Sequence, residues 1–100
     1  MKTIGVFFGS RSPEHDVSVI TACLVMKTLR QMGFSVVPIY IDKEGGWHSD
    51  DTLGALNFFQ NKNYAEQLKK FPRITIDEEA SRGKLVLRKK GIFGKTISLD

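Results

Sequence analysis

The junction at residues 9–18 constrains the fold more than any other part of this chain. An apolar run at residues 2–8 meets Gly9 and Ser10, crosses a polar stretch holding Pro13, Glu14 and Asp16, and gives way to apolar residues at helical spacing. A short apolar run bounded by glycine is how a parallel strand buried on both faces reads. Helix punctuation follows over residues 14–31. Ser12 before Pro13 fits an N-cap with proline at the first helical position, Glu14 and Asp16 put negative charge on the positive end of the helix dipole, and Gly33 suits a C-terminal cap. A strand, a polar turn and a helix in that order place the turn at the carboxyl edge of a sheet, where open α/β folds bind ligands.

The 100 residues set a ceiling of one domain, residues 1–100, and a 41% hydrophobic content allows a modest core. No apolar stretch approaches the ~20 residues of a membrane helix, so no membrane partner is expected. A single cysteine, Cys23, excludes an intramolecular disulfide, and the first residues lack a charged-then-apolar signal region. A cytoplasmic setting is expected. The net charge of +4 is concentrated in Lys84, Arg88, Lys89, Lys90 and Lys95. Such a cluster on a hairpin reads as a solvated edge that discourages strand pairing, and it lacks the interleaved aromatic residues of a nucleic-acid platform. No nucleic-acid partner is expected.

Within the helix, Val19, Ala22, Val25, Met26 and Leu29 share a face predicted to lie on the sheet. Val17, Ile20 and Leu24 form a second apolar stripe, which either meets further core or makes a domain or subunit contact. Residues 34–41 read as a second strand, giving a strand-helix-strand unit, with Pro38 pointing to a position near an edge or to donation by other residues only. Residues 42–46 read as a turn, with Trp47 and His48 returning beside Tyr40 or Ile41. Asp50 or Asp51 caps a brief helix through Leu56, interrupted by Gly54, and residues 57–72 read mostly as loop. Residues 73–76 form a strand and 77–82 a polar connection. Residues 84–88 and 94–99 alternate with period two, as the arms of a hairpin around 89–91. The expected fold is α/β, a small Rossmann-like parallel sheet with a flanking helix and a C-terminal β-hairpin.

Chemistry, on this reading, starts at Glu14. An acid after a turn and at a helix amino terminus can bind an ammonium group or steady a hydrogen-bond network, and Ser18, four residues on, shares its face. A serine nucleophile is not expected, since His15 points about 100° away from the acid and no Gly-x-Ser-x-Gly elbow exists. His15, His48 and Cys23 show no metal-ligand spacing, so no metal is expected. The turn could instead cradle a phosphate, against which stand two acids in the first turn and the absence of a Walker lysine.

Gly9, Ser12, Glu14, His15, Val17 and Ser18 together make a Gly-x-x-Ser-x-Glu-His-x-Val-Ser pattern that resembles the amino-terminal signature of the D-alanine-D-alanine ligases. The usual form begins with two glycines, and Ser10 stands in place of the second. Residues 39–47 resemble the second strand and turn of the same ligases. The resemblance implies the amino-terminal domain of a cytoplasmic, homodimeric enzyme of peptidoglycan synthesis, which joins two D-alanines using ATP and magnesium. It implies Glu14 as the catalytic-site group orienting the first D-alanine near its amino group, Val17 as pocket lining and Ser18 as a further substrate-binding residue. ATP and magnesium would bind in ATP-grasp domains outside these residues, so this chain, as a fragment or truncated product, holds no cofactor and is inactive alone. The alternative is a non-catalytic flavodoxin-like or regulatory module binding a small anion at residues 10–12.

Overall fold

Residues 2–11, 13–90 and 95–100 are described in a computed structural model. Strand β1 (Thr3–Gly9) leads to helix α1 (His15–Gln31) and strand β2 (Ser35–Ile41), which runs parallel to β1 with Thr3 opposite Ser35 and Gly9 opposite Ile41. The strand-helix-strand unit is therefore present. Ser12, the expected N-cap, lies outside the described residues. Glu14 occupies the N-cap position, one residue before the helix proper. The other end is a Schellman motif, in which Gly33 (φ 92°) donates to the Arg30 carbonyl and Phe34 to that of Leu29.

Val19, Ala22 and Met26 are buried and Leu29 packs against them, as the helical spacing predicts. Val25 departs from that expectation at 42% exposed. It stands at the margin of the stripe, about 100° around the helix from Met26, beyond the reach of the sheet. Val17, Ile20 and Leu24 face away from the core.

Strand β3 (Trp47–His48) pairs antiparallel with the end of β2, placing His48 opposite Tyr40 and Trp47 opposite Ile41. β2 is thus the middle strand, but β3 stops at Tyr40, so at Pro38 the strand is locally an edge. The Pro38 carbonyl there accepts from the Ser49 hydroxyl at 2.8 Å. Asp50 caps a short 3-10 turn, Asp51–Gly54, through the Thr52 amide.

Residues 57–72 are not mostly loop. They hold most of helix α2 (Leu56–Gln60) and helix α3 (Tyr64–Leu68), each too short to show a helical period in sequence. Their aromatic rings hold them in place. Phe59 meets Phe8 at 5.8 Å and Tyr40 at 5.0 Å, and Phe58 meets Phe71 at 5.8 Å.

The predicted C-terminal hairpin is two strands of a three-stranded antiparallel sheet, β4 (Ile74–Ile76), β5 (Leu85–Lys89) and β6 (Thr96–Leu99). Gly91 and Gly94 of the expected turn and arm lie outside the described residues. Lys84 pairs with Asp100 at 3.0 Å and Arg88 with Asp77 at 2.7 Å, so two cations of the basic cluster are compensated.

Period-two alternation on β2 sorts the core into two layers. Val36 and Tyr40 face the helices, with Phe8, Val19, Ala22, Met26, Leu53 and Leu68. Val37 and Ile39 face the second sheet, where Ile74, Leu87 and Leu99 close over them. Helices, first sheet and second sheet thus stack as three layers, and the end of β1 and the start of α1 stand at the carboxyl edge of the middle one.

Candidate functional site

The chain turns from strand to helix by leaving ordinary backbone conformation twice in succession, at Gly9 (φ 99°) and Ser10 (φ 79°). Gly9 is required sterically as well, because a β-carbon there would stand 2.5 Å from the Ile41 carbonyl oxygen and 2.7 Å from the Tyr40 ring. Three hydrogen bonds then tie the turn to its surroundings. The Gly9 amide donates to the Ser18 hydroxyl at 3.1 Å, the Ser10 amide to the Ile41 carbonyl at 2.7 Å, and Arg11 Nε to the Lys43 carbonyl at 3.0 Å. The turn after β1 is thereby fixed to both α1 and the end of β2.

This scaffold sets out the three sequence-predicted residues. Glu14 is exposed at the N-cap, Val17 is 59% exposed less than one turn further on, and Ser18 is half-buried with its hydroxyl accepting from Gly9. The Ser18 amide donates to the Glu14 carbonyl at 2.8 Å, the first helical bond of α1. Glu14, Val17 and Ser18 therefore lie along one flank of the first helical turn, at the edge where the parallel strands end.

His15, which the sequence placed in the motif but gave no role, is drawn inward. It is 5% exposed, and Tyr40 at 1% exposed lies against it. His15 Nε2 and the Tyr40 hydroxyl are 2.6 Å apart, while Nδ1 is 2.9 Å from Asp16 Oδ1. Burial first, and Tyr64 beside it second, push the Tyr40 phenol far above its ordinary range, so the hydroxyl keeps its proton and can donate it to Nε2. In the tautomer that accepts there, Nδ1 donates to Asp16, whose carboxyl is lowered first by its hydrogen bond to His15. The Tyr64 ring lies nearly parallel to the imidazole at 6.5 Å. One signal was available. His15, Val19, Ala22 and Met26 follow the spacing i, i+4, i+7, i+11 of a single buried face.

A second polar cluster builds the turn after β2. Asp42 accepts from His48 Nε2 at 2.7 Å, from the Gly46 amide at 2.8 Å and from the Glu44 amide at 2.9 Å, with Arg73 at 3.8 Å. Partial burial raises the Asp42 carboxyl, but these donors outweigh it and hold the group below the usual carboxylate range. Among the described residues no three His, Cys, Asp or Glu side chains gather in a way that could hold a metal ion. Nor is any helix long and apolar enough to cross a membrane among those residues.

Residues 3–95 match the family model described as the D-ala D-ala ligase N-terminus. The chain is 36% identical over 97 residues to the D-alanine--D-alanine ligase of Thermosipho melanesiensis, covering 97% of this chain and 26% of that protein. It is 53% identical over 47 residues to the Leptospira interrogans enzyme of the same name, covering 47% of this chain and 13% of that protein. Among solved structures, the VanG D-Ala:D-Ser ligase of Enterococcus faecalis superposes with a TM-score of 0.73 at 24% identity, over 99% of this chain and 27% of that one. The D-Alanine-D-Alanine ligase of Helicobacter pylori gives a TM-score of 0.60 at 18% identity, over 100% of this chain and 26% of that one. The chain thus spans about a quarter or less of the length of these relatives. With the strand-turn-helix junction, the layered fold and a family match over residues 3–95 in agreement, this chain belongs to the D-alanine-D-alanine ligase family and carries its amino-terminal domain.

Proposed function

We propose that this chain is the first-substrate domain of an ATP-dependent ligase that joins two D-alanines for peptidoglycan, with Glu14 as the group that orients the first D-alanine. The observation that carries this reading is the exposed Glu14 at the N-cap of α1, set at the carboxyl edge of β1 and β2 by the Gly9-Ser10 turn. A carboxylate in that place can accept hydrogen bonds from an ammonium group. Val17, exposed on the same flank, supplies apolar contact, and Ser18 holds the flank to the strand.

ATP and magnesium, on this reading, bind in parts of the ligase outside residues 1–100. On the same reading the parent is a cytoplasmic homodimer, and Ile20 and Leu24, exposed on the outward stripe of α1, serve subunit contact.

Two measurements test the proposal. In the intact ligase carrying these residues, Glu14→Gln removes one charge-assisted hydrogen bond, expected to be worth ~1.5–3 kcal/mol, and so raises the KM for the first D-alanine at least about tenfold with the KM for ATP unchanged. An unchanged D-alanine KM sinks the substrate role. The 100-residue chain alone releases no phosphate from ATP in the presence of D-alanine, and release would overturn the assignment of catalysis to the rest of the ligase.

A further inference from the structure

We infer that His15 is a positioning residue for Glu14: through the Tyr40 hydroxyl it sets the rotation of the first turn of α1, and with it the place of the Glu14 carboxylate. The inference rests on the substrate role proposed for Glu14.

Glu14 is the N-cap residue of α1, and the side chain that follows it is tied to the sheet. The His15 ring is buried between Tyr40, edge-to-face at 5.7 Å, and Tyr64, stacked at 6.5 Å. An apolar side chain would fill this space without the cost of burying two ring nitrogens. What the imidazole adds is direction. Its 2.6 Å bond to Tyr40 runs from α1 to β2, and Tyr40 is itself immobilised at 1% exposed between Phe8 and Phe59.

A short hydrogen bond adds a directional restraint on the first turn to the close packing of Val19, Ala22 and Met26 further along the helix. Side chains reach about 5–6 Å from a helix axis, so a roll of about 20° would carry the Glu14 carboxylate about 2 Å. Displacements of about 1 Å at a reacting site can cost up to about a hundredfold in rate. His15 acts on the proposed pocket through Glu14.

The test is a set of variants in the intact ligase that carries this domain. His15→Leu and Tyr40→Phe should each raise the KM for the first D-alanine about fivefold or more, with the KM for ATP unchanged. His15→Gln, which offers Tyr40 an acceptor oxygen, should recover most of the loss. In a Glu14→Gln background, His15→Leu should add nothing further, because the group it positions is already altered. Tyr40→Phe removes one oxygen and keeps the ring, so it keeps the test available should His15→Leu not fold. A Glu14→Gln effect with no effect of His15→Leu or Tyr40→Phe overturns this inference and leaves the role of Glu14 standing. Equal rises in both KM values, or a His15→Leu effect that persists in full without Glu14, marks a merely structural histidine and also overturns it. If Glu14→Gln itself changes nothing, the substrate role fails first and the positioning role with it.

Discussion

The Ser18 hydroxyl accepts the amide hydrogen of Gly9 at 3.1 Å, so the helix holds the end of the strand that precedes it. The Gly9 amide belongs to a residue in left-handed conformation and is buried. Without Ser18 Oγ it would lose this partner where water reaches poorly. Ser18→Ala should therefore destabilise the chain by about 1–2 kcal/mol, lowering Tm by roughly 5–15 °C. Ser18→Thr, which keeps the hydroxyl, should recover most of that in a thermal melt. Equal loss in both variants would show that the hydroxyl bond is not the source.

Gly9 itself leaves no room for a side chain. A methyl group would have to lie 2.5 Å from the Ile41 carbonyl oxygen, a backbone atom that cannot move without breaking the β1-β2 register. Positive φ alone costs a non-glycine residue about 1–2 kcal/mol. Gly9→Ala should thus cost about 3 kcal/mol or more by urea unfolding, in the range where a domain of this size approaches its whole stability. Gly45→Ala is the control. It too has positive φ (90°) but nothing within 4 Å, so it should show only the conformational penalty.

These positions also show where the sequence was readable. The parallel pair and α1 were legible because each is long enough for its period to appear: seven residues in β1 and in β2, seventeen in α1. Helices α2 and α3, five residues each, were not. Phe59 of α2 meets Phe8 and Tyr40, and Tyr64 of α3 meets His15, all residues far away in sequence. Alternation on β2 told which residues share a face but not what covers it, so the stacking of Leu87 and Leu99 on Ile39 was invisible. Element order alone put Glu14, Val17 and Ser18 at the start of α1, whereas the pocket role of Val17 follows only from the family resemblance. The role of His15 was not legible, because its partner Tyr40 is 25 residues away and its polarity hides it within an apolar stripe.

Leu87 tests the second layer. It is fully buried among Ile39, Ile74 and Leu99, with half-buried neighbours Leu85 and Ile97 around it. Truncation leaves a cavity that antiparallel strands pinned by ladders on both sides cannot close. Leu87→Ala should cost about 2–5 kcal/mol, against about 0.5 kcal/mol or less for a conservative change such as Ile76→Val, where Ile76 is 47% exposed on the neighbouring strand. Similar unfolding midpoints for the two variants would mean that the second sheet adds little to the core.

Asp42 gives the fold an acid-sensitive joint. Its carboxylate gathers donors from His48, Gly46 and Glu44 and stands near Arg73, which leads into β4, so the charged form ties the turn after β2 to the second sheet. Because the folded state lowers this carboxyl below its unfolded value, the stabilisation is present in full above the unfolded value and fades as pH falls through about 4 and below. Asp77, paired with Arg88, and Asp100, bound by the Thr3 amide and Lys84, are lowered too and share the acid limb. Asp42→Asn should therefore lower the urea midpoint at pH 7 while making its decline between pH 5 and pH 2.5 shallower, without abolishing it. The two curves should converge at the acid end, where the wild-type carboxyl is protonated and the amide replaces it at little cost. Curves that stay parallel across the whole range would show that the Asp42 charge does not carry this part of the stability.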